Sequence, residues 1–426
     1  MFTGVTDLTT AALDRLVSQS PRFEAGRSAA GVAVFGEDIA PQRLAHVSLW
    51  IRSGTRLEGP GSYGATHALE HLAIRRLPEF TWPGLVERAG GSYNAVTDRE
   101  FLAFFYSAPA EFAAGCLPDF LDQLPIATRS FAPDEFESEK SVLAEEWRHL
   151  GTDPTGYLLA GLHELVLPGQ LRHYPGGTEA DLDELSAPVV AAVADRIWTR
   201  PQLALIVSGL PMEVAIEALD NSALSRLSDA PAATGQLDDQ RVRGSFQFDD
   251  PAGLDPDTAV LQGLGALGPG CVDDTLAATE VAISVLAGGS SSRLFQVVRG
   301  EHGLAYGVDG WHIAYADAGL STVLVQTSAE HTTTVERLID TEIHRLIDEP
   351  VGREELETAQ RRLVGQRFQL WEDGVERVFA AGRAQFVPAG RTTDLTSWAR
   401  ACFEVQPADV ALAARKLLDR QVVCHV

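Results

Sequence analysis

The sequence predicts an α+β protein of two homologous domains, each a mostly antiparallel sheet covered by helices. Three observations lead there. The chain has 426 residues, more than one compact core takes up, and 45% of them are apolar, enough to fill two. Short runs of strand-like apolar residues alternate with helical stretches, the pattern of layers in which helices cover one face of a sheet. The order of those segments then recurs after a polar connection rich in Pro, Gly and Asp.

The elements follow in order. Met1–Ser20 scatters Asp7, Asp14 and Arg15 and has no apolar signal core. Ala45–Ile51 reads as a strand, and Tyr63–Leu77 as an apolar, helix-like stretch. Phe101–Tyr106 is a second strand, followed by a helix over Glu111–Leu124. Pro133-Asp134-Glu135 is a good helix start, with proline in the first turn and acids at the positive end of the dipole. A helix over Leu185–Trp198 and a strand over Ala204–Val207 close the first half. Ser228–Asp257 is the connection, although Ser245–Phe248 has the look of a first strand for the second half. The expected division is a metal-binding catalytic domain over 1–228, a linker region over 229–257 and a homologous domain over 258–426. In that last part Val260–Leu267 and Leu320–Thr327 read as strands and Thr332–Ile347 as a helix. Two echoes support duplication. Asp134–Glu137 leading to Leu143 matches Glu354–Glu357 leading to Leu363, and Leu185–Trp198 resembles Trp398–Leu418.

The chemistry concentrates in His67-Ala68-Leu69-Glu70-His71. Residues four apart on a helix stand on one face one turn apart, so both imidazoles can grip one metal ion. Glu70 lies on nearly the same face, within reach of a metal-bound water, in the H-x-x-E-H pattern. A three-ligand site that leaves a position for water needs one more protein ligand. Glu146 is the best candidate; Glu139, seven residues earlier, shares its helix face. One of the two carboxylates can ligate while the other orients a histidine or the base. Glu145 and His149 read as solvated surface, and His46, His163, His173, His312, His331, His344 and His425 show no ligand spacing. The second half has no H-x-x-E-H, and at an offset of 220 residues Ala359 and Gln366 stand opposite Glu139 and Glu146. It reads as a copy without the metal site.

Composition narrows the function. A net charge of −25 argues against nucleic acid, whose phosphates demand basic patches. It fits solubility and the attraction of basic peptides, and equally an acidic proteome. No apolar run approaches the roughly 20 residues of a membrane span. A cytoplasmic location is the simplest expectation. Cys116, Cys271, Cys402 and Cys424 are far apart and read as reduced, mostly buried residues. Gly288-Gly289 has no lysine in P-loop register and is discounted as a phosphate loop.

With these residues in place, the chain resembles the inverzincin peptidases that include pitrilysin, insulin-degrading enzyme and the mitochondrial processing peptidase. The resemblance runs over almost the whole chain. Ser53–Glu58 is similar to that family's lead-in to the metal helix, and His67, Glu70 and His71 match its motif. Glu146 matches the distal glutamate ligand, and Glu139 the second glutamate. Gly90–Thr97 resembles the N-A-x-T segment that contacts substrate backbone, implicating Asn94, Ala95 and Thr97. Arg299 and Tyr306 are similar to the pair that grips the substrate carbonyl from across the cavity. The resemblance implies one zinc ion per chain, held by His67, His71 and Glu146, with Glu70 as base. It implies a zinc endopeptidase for short or unfolded peptides, with leader-peptide or precursor processing among its roles. It implies half of a clamshell chamber, completed by a second copy or by a homologous sister chain. The competing expectation is a non-catalytic paralogue that presents peptide to an active partner. Leu72–Leu77 departs from the family's Lys-Gly-Thr type of turn, which bears on the adjoining loop and pocket.

Overall fold

The computed structural model describes residues 22–38, 42–75, 81–231, 244–247, 260–386, 395–419 and 421–425. Met1–Ser20, Arg76–Leu77, Phe248 and most of the connection lie outside the described residues. The first half runs β1 (Arg22–Arg27), β2 (Ala33–Asp38), β3 (Leu44–Arg52), α1 (Ala65–Arg75), α2 (Trp82–Arg88), β4 (Ser92–Thr97), β5 (Phe101–Pro109) and α3 (Ala110–Arg129). It continues through α4 (Pro133–Leu150), α5 (Pro154–Val166), α6 (Glu179–Glu184), α7 (Ala187–Ile197), β6 (Leu203–Ser208) and α8 (Met212–Asn221). The second half runs β7 (Gly244–Gln247), β8 (Val260–Gly268), α9 (Leu276–Ala287), a π-helical segment (Phe295–Glu301), β9 (Ala305–Ala314) and β10 (Gly319–Thr327). It ends with α10 (Thr332–Asp348), α11 (Arg353–Trp371), α12 (Gly374–Phe386), α13 (Leu395–Glu404), α14 (Pro407–Asp419) and β11 (Gln421–His425).

The two sheets have one topology. The order β2-β6-β3-β5-β4 in the first is repeated as β7-β11-β8-β10-β9 in the second, and the first adds β1 at its edge. In each, the outer pair (β2 with β6, β7 with β11) is parallel and the other pairs are antiparallel. Gly244–Gln247 lies inside the polar connection yet belongs to the second sheet, as the strand-like look of Ser245–Gln247 suggested. One echo is revised: Trp398–Leu418 spans two helices, and only α14 corresponds to α7.

A second revision concerns the layers. The expectation was helices on one face of each sheet, but both faces are covered. Along β3, Ala45, Val47, Leu49 and Ile51 join the main core of the first half, while Trp50 points the other way. That other face is covered by α12, which comes from the second half. Reciprocally, α5 from the first half covers the back of β8 and β11 through Leu158, Leu162 and Val166. Each half therefore lends one helix to its twin. This is why the central strands are buried on both sides and read as continuous apolar runs. A buried ion pair fixes the exchange: Arg377 Nε of α12 donates to Glu37 Oε1 of β2 at 2.6 Å, and Ser208 donates to the same carboxylate. At the seam, Arg56 binds Glu100 of its own half and Asp317 of the other, each at 2.8 Å.

Candidate metal centre

Helix α1 buries Ala65, Ala68, Leu69, Leu72 and Ala73 and leaves His67, Glu70 and His71 on its partly open side. Helix α4 packs across that side. It starts as its sequence requires, with Pro133 in the first turn and the Glu135 carboxylate accepting from Ala132 N at 2.7 Å. Phe136, Glu139 and Leu143 form its buried side, and Glu146 stands one further turn along. Two helices remote in sequence thus bring three candidate ligands to one point. His67 Nε2 lies 3.6 Å and His71 Nε2 3.4 Å from the two oxygens of Glu146. All three ligand atoms fall within 4.8 Å of one another. Tetrahedral zinc with bonds of about 2.0–2.1 Å needs ligand atoms about 3.4 Å apart, so the donor set fits the ion.

Around these groups stands a shell of partners. His71 Nδ1 donates to Glu139 Oε2 at 3.1 Å, which leaves Nε2 as the nitrogen that could ligate a metal. Glu139, buried, is in turn held by Arg75 Nε at 2.8 Å. Arg75 is part of the unusual segment after the motif, and nothing in the sequence flagged it as the carboxylate's counter-charge. Glu145 points outward and pairs with Arg148, as a surface residue would. Thr97 Oγ1 donates to Glu70 Oε2 at 2.5 Å, so its hydroxyl is turned toward the proposed base. Asn94 is exposed on β4, an edge strand of its sheet, and its Oδ1 accepts from Ala95 N at 2.9 Å.

The electrostatics follow from burial. Desolvation, then the neighbouring charge of His71, lowers His67 to about 4, which keeps the imidazole neutral as a ligand must be. Burial also disfavours charge on His71, but the carboxylates of Glu146 and Glu139 outweigh it and the net shift is upward. Burial raises Glu70, partly offset by the bond from Thr97, toward the range useful for a base. Just before the metal helix, Glu58 is fully enclosed. Its desolvation, reduced by bonds from Thr66 and Gly64, pushes it up to about 7.

Arg299, in the π-helical segment, and Tyr306, at the start of β9, are placed together. The Arg299 guanidinium donates to Tyr306 O at 2.8 Å and lies 5.0 Å from the centre of its ring. Tyr306 is 78% exposed. Neither shares a hydrogen bond or ion pair with the imidazoles or Glu70 among the described residues. A cavity of about 650 Å³ opens between the halves, bounded by Val96, Phe105, Trp371, Phe379 and Trp398.

A duplicated α+β chain that sets an H-x-x-E-H helix against an acidic helix has the inverzincin type of architecture. The comparisons agree. The description "Insulinase (Peptidase family M16)" matches residues 33–170, and "Peptidase M16 inactive domain" matches residues 185–363. The chain belongs to peptidase family M16, the pitrilysin family. It is similar to an uncharacterized zinc protease of Bacillus subtilis, 24% identical over 84% of this chain and 86% of the relative. An uncharacterized zinc protease of Mycobacterium tuberculosis is 26% identical over 92% and 90% of the two chains. In fold it is similar to a protease from Helicobacter pylori, with a TM-score of 0.81 at 16% identity, covering 95% of this chain and 99% of that one. A peptidase M16 inactive domain from Pseudomonas fluorescens gives 0.76 at 17% identity, over 95% and 98%. Among the described residues no helix is long and apolar enough to cross a membrane.

Proposed function

We propose that this chain is a zinc endopeptidase for short or unfolded peptides, one zinc per chain, with leader-peptide or precursor processing among its roles. The observation that carries this reading is the convergence of His67, His71 and Glu146, with Glu70 beside them and Glu139 behind. When bound, zinc supplies a Lewis acid that polarises a peptide carbonyl and acidifies water. His67, His71 and Glu146 would hold it. Glu70, held by Thr97, accepts a proton from the attacking water and returns it to the leaving amine, so that water adds across the broken C–N bond. The peptide adds as a strand to the β4 edge at Asn94 and Ala95, so recognition rests on backbone bonds.

Arg299 and Tyr306 would steady the carbonyl of a peptide bound to a second chain. The far end of β9 reaches the seam, where Ala316 N donates to Glu100 at 3.0 Å. Tyr306 lies about 26 Å back along the strand from Ala314, at roughly 3.3 Å per residue. The exposure of Tyr306, with no bond to the imidazoles or Glu70 among the described residues, supports a dimer, of two copies or with a homologous sister chain, in which each second half serves the partner's metal centre. The test is Glu70→Gln in a peptide-cleavage assay with zinc content measured in parallel. We expect kcat to fall by about 10²–10⁴ with zinc retained; wild-type turnover in the variant removes Glu70 from the role of base.

A further inference from the structure

We infer that Glu58 is a positioning residue of the metal centre: its carboxylate clamps the first turn of the metal helix and so fixes where His67 stands. The inference rests on the reading of His67, His71 and Glu146 as metal ligands.

The two imidazoles are held differently. His71 has a partner of its own, Glu139, on Nδ1. His67 Nδ1 is buried and has no hydrogen-bond partner among the described residues. It faces Gly176, where an added Cβ would stand 3.2 Å from that nitrogen. Among the described residues no side-chain bond therefore orients His67 from behind, and its place is set by packing and by the backbone that carries it. That backbone is anchored at Glu58. Gly64 N donates to Glu58 Oε2 at 3.0 Å, and Thr66 N donates to Glu58 Oε1 at 2.7 Å. The first amides of a helix have no acceptor within it, and a carboxylate there is favoured both by the helix dipole and by charge-assisted bonding. The second clamped amide is the residue before His67.

The clamp holds because its base is rigid. Gly54 has φ +87 and sits so close to the backbone of Asp98 and Arg99 that a Cβ would overlap it. Arg56 N donates to Arg99 O at 2.9 Å, and Ser53 Oγ meets Thr66 Oγ1 at 3.0 Å. The Arg56 guanidinium reaches Asp317 of the second half. The segment Ser53–Glu58 is thereby fixed to both halves before it grips the helix. Gly64 itself, at φ +83, lies against Gly176 O, which closes the first turn from the other side.

The experiment compares wild type, Glu58→Gln and Glu58→Asp. Gln keeps the volume but turns an NH₂ against one of the two amides; Asp keeps the charge but is too short to reach both. Zinc affinity is measured by chelator competition, with hydrogen exchange over residues 60–72 and melting temperature in the metal-free protein. We expect Glu58→Gln to weaken zinc binding about tenfold or more, in the range seen when groups behind metal ligands are removed. Exchange at the helix start should quicken while the metal-free melting temperature moves by only a few degrees. A folded Glu58→Gln chain with wild-type zinc affinity overturns the inference and leaves the metal reading standing. A wild-type chain that takes up no zinc overturns both. Should neither variant fold, wild-type exchange decides: protected amides at Gly64 and Thr66 support the clamp, and freely exchanging ones overturn it.

Discussion

Helices α1 and α9 occupy the same slot in the two halves, each between the first central strand and the edge pair. In α9 all residues from Leu276 to Ala287 are buried except Ala278. In α1 the buried residues form a stripe and the opposite side stays open to α4. The neighbour differs in step. Where α4 offers Glu139 to His71, α11 offers Ala359, whose carbonyl accepts from Ser284 Oγ of α9 at 3.1 Å. One fold thus supports two solutions. A helix sealed on all sides gives stability, and a helix with one open side gives a place for ligands. A candidate metal centre needs no new architecture, only polar residues on the side that its twin fills.

The first way to break the contrast is to make the first half like the second. His71→Ala should abolish stoichiometric zinc, read by elemental analysis, and with it peptide cleavage, because a two-ligand remnant cannot hold the ion at a working concentration. Glu139→Gln is milder. It keeps all three ligands but weakens the bond that orients His71, and should lower zinc affinity or activity about 10–100-fold. If affinity and kcat/KM are both unchanged, Glu139 has no part in the centre.

The exchanged helices offer a finer contrast. An added Cβ at Gly382 of α12 would come within 2.0 Å of the fully buried Trp50 indole. One at Gly263 of β8 would meet leucine methyl groups, those of Leu158 and Leu162 at 3.0 Å and that of Leu324 at 3.1 Å. A rigid ring cannot yield, whereas leucine tips can. Gly382→Ala should destabilise by about 1–3 kcal/mol, as overpacking does, and Gly263→Ala by less than about 1 kcal/mol. Urea denaturation compares them; equal costs would mean that the two docking surfaces are equally pliable.

Much of this was legible in the chain. The H-x-x-E-H spacing, the strand-like apolar runs of Ala45–Ile51 and Phe101–Tyr106 and the helix start at Pro133 are local signals, set by neighbours a turn or a strand pair away. The duplication was legible too, since an offset of 220 residues carries Pro133–Leu150 onto Arg353–Trp371 nearly end to end. Glu139 and Glu146 could be chosen because they share one helix face.

What the sequence by itself determined, then, was which segments form helices and strands and which residue types can take a metal, because those follow from short-range periodicity and side-chain chemistry. Tertiary structure alone decided which far-apart groups meet: Arg75 with Glu139, Thr97 with Glu70, Glu58 with the first turn of α1, and α5 and α12 with the sheets of the opposite half. The physical reason is that these contacts join segments separated by loops and sheets. Their partners are selected by the packing of the whole core, to which no local pattern responds.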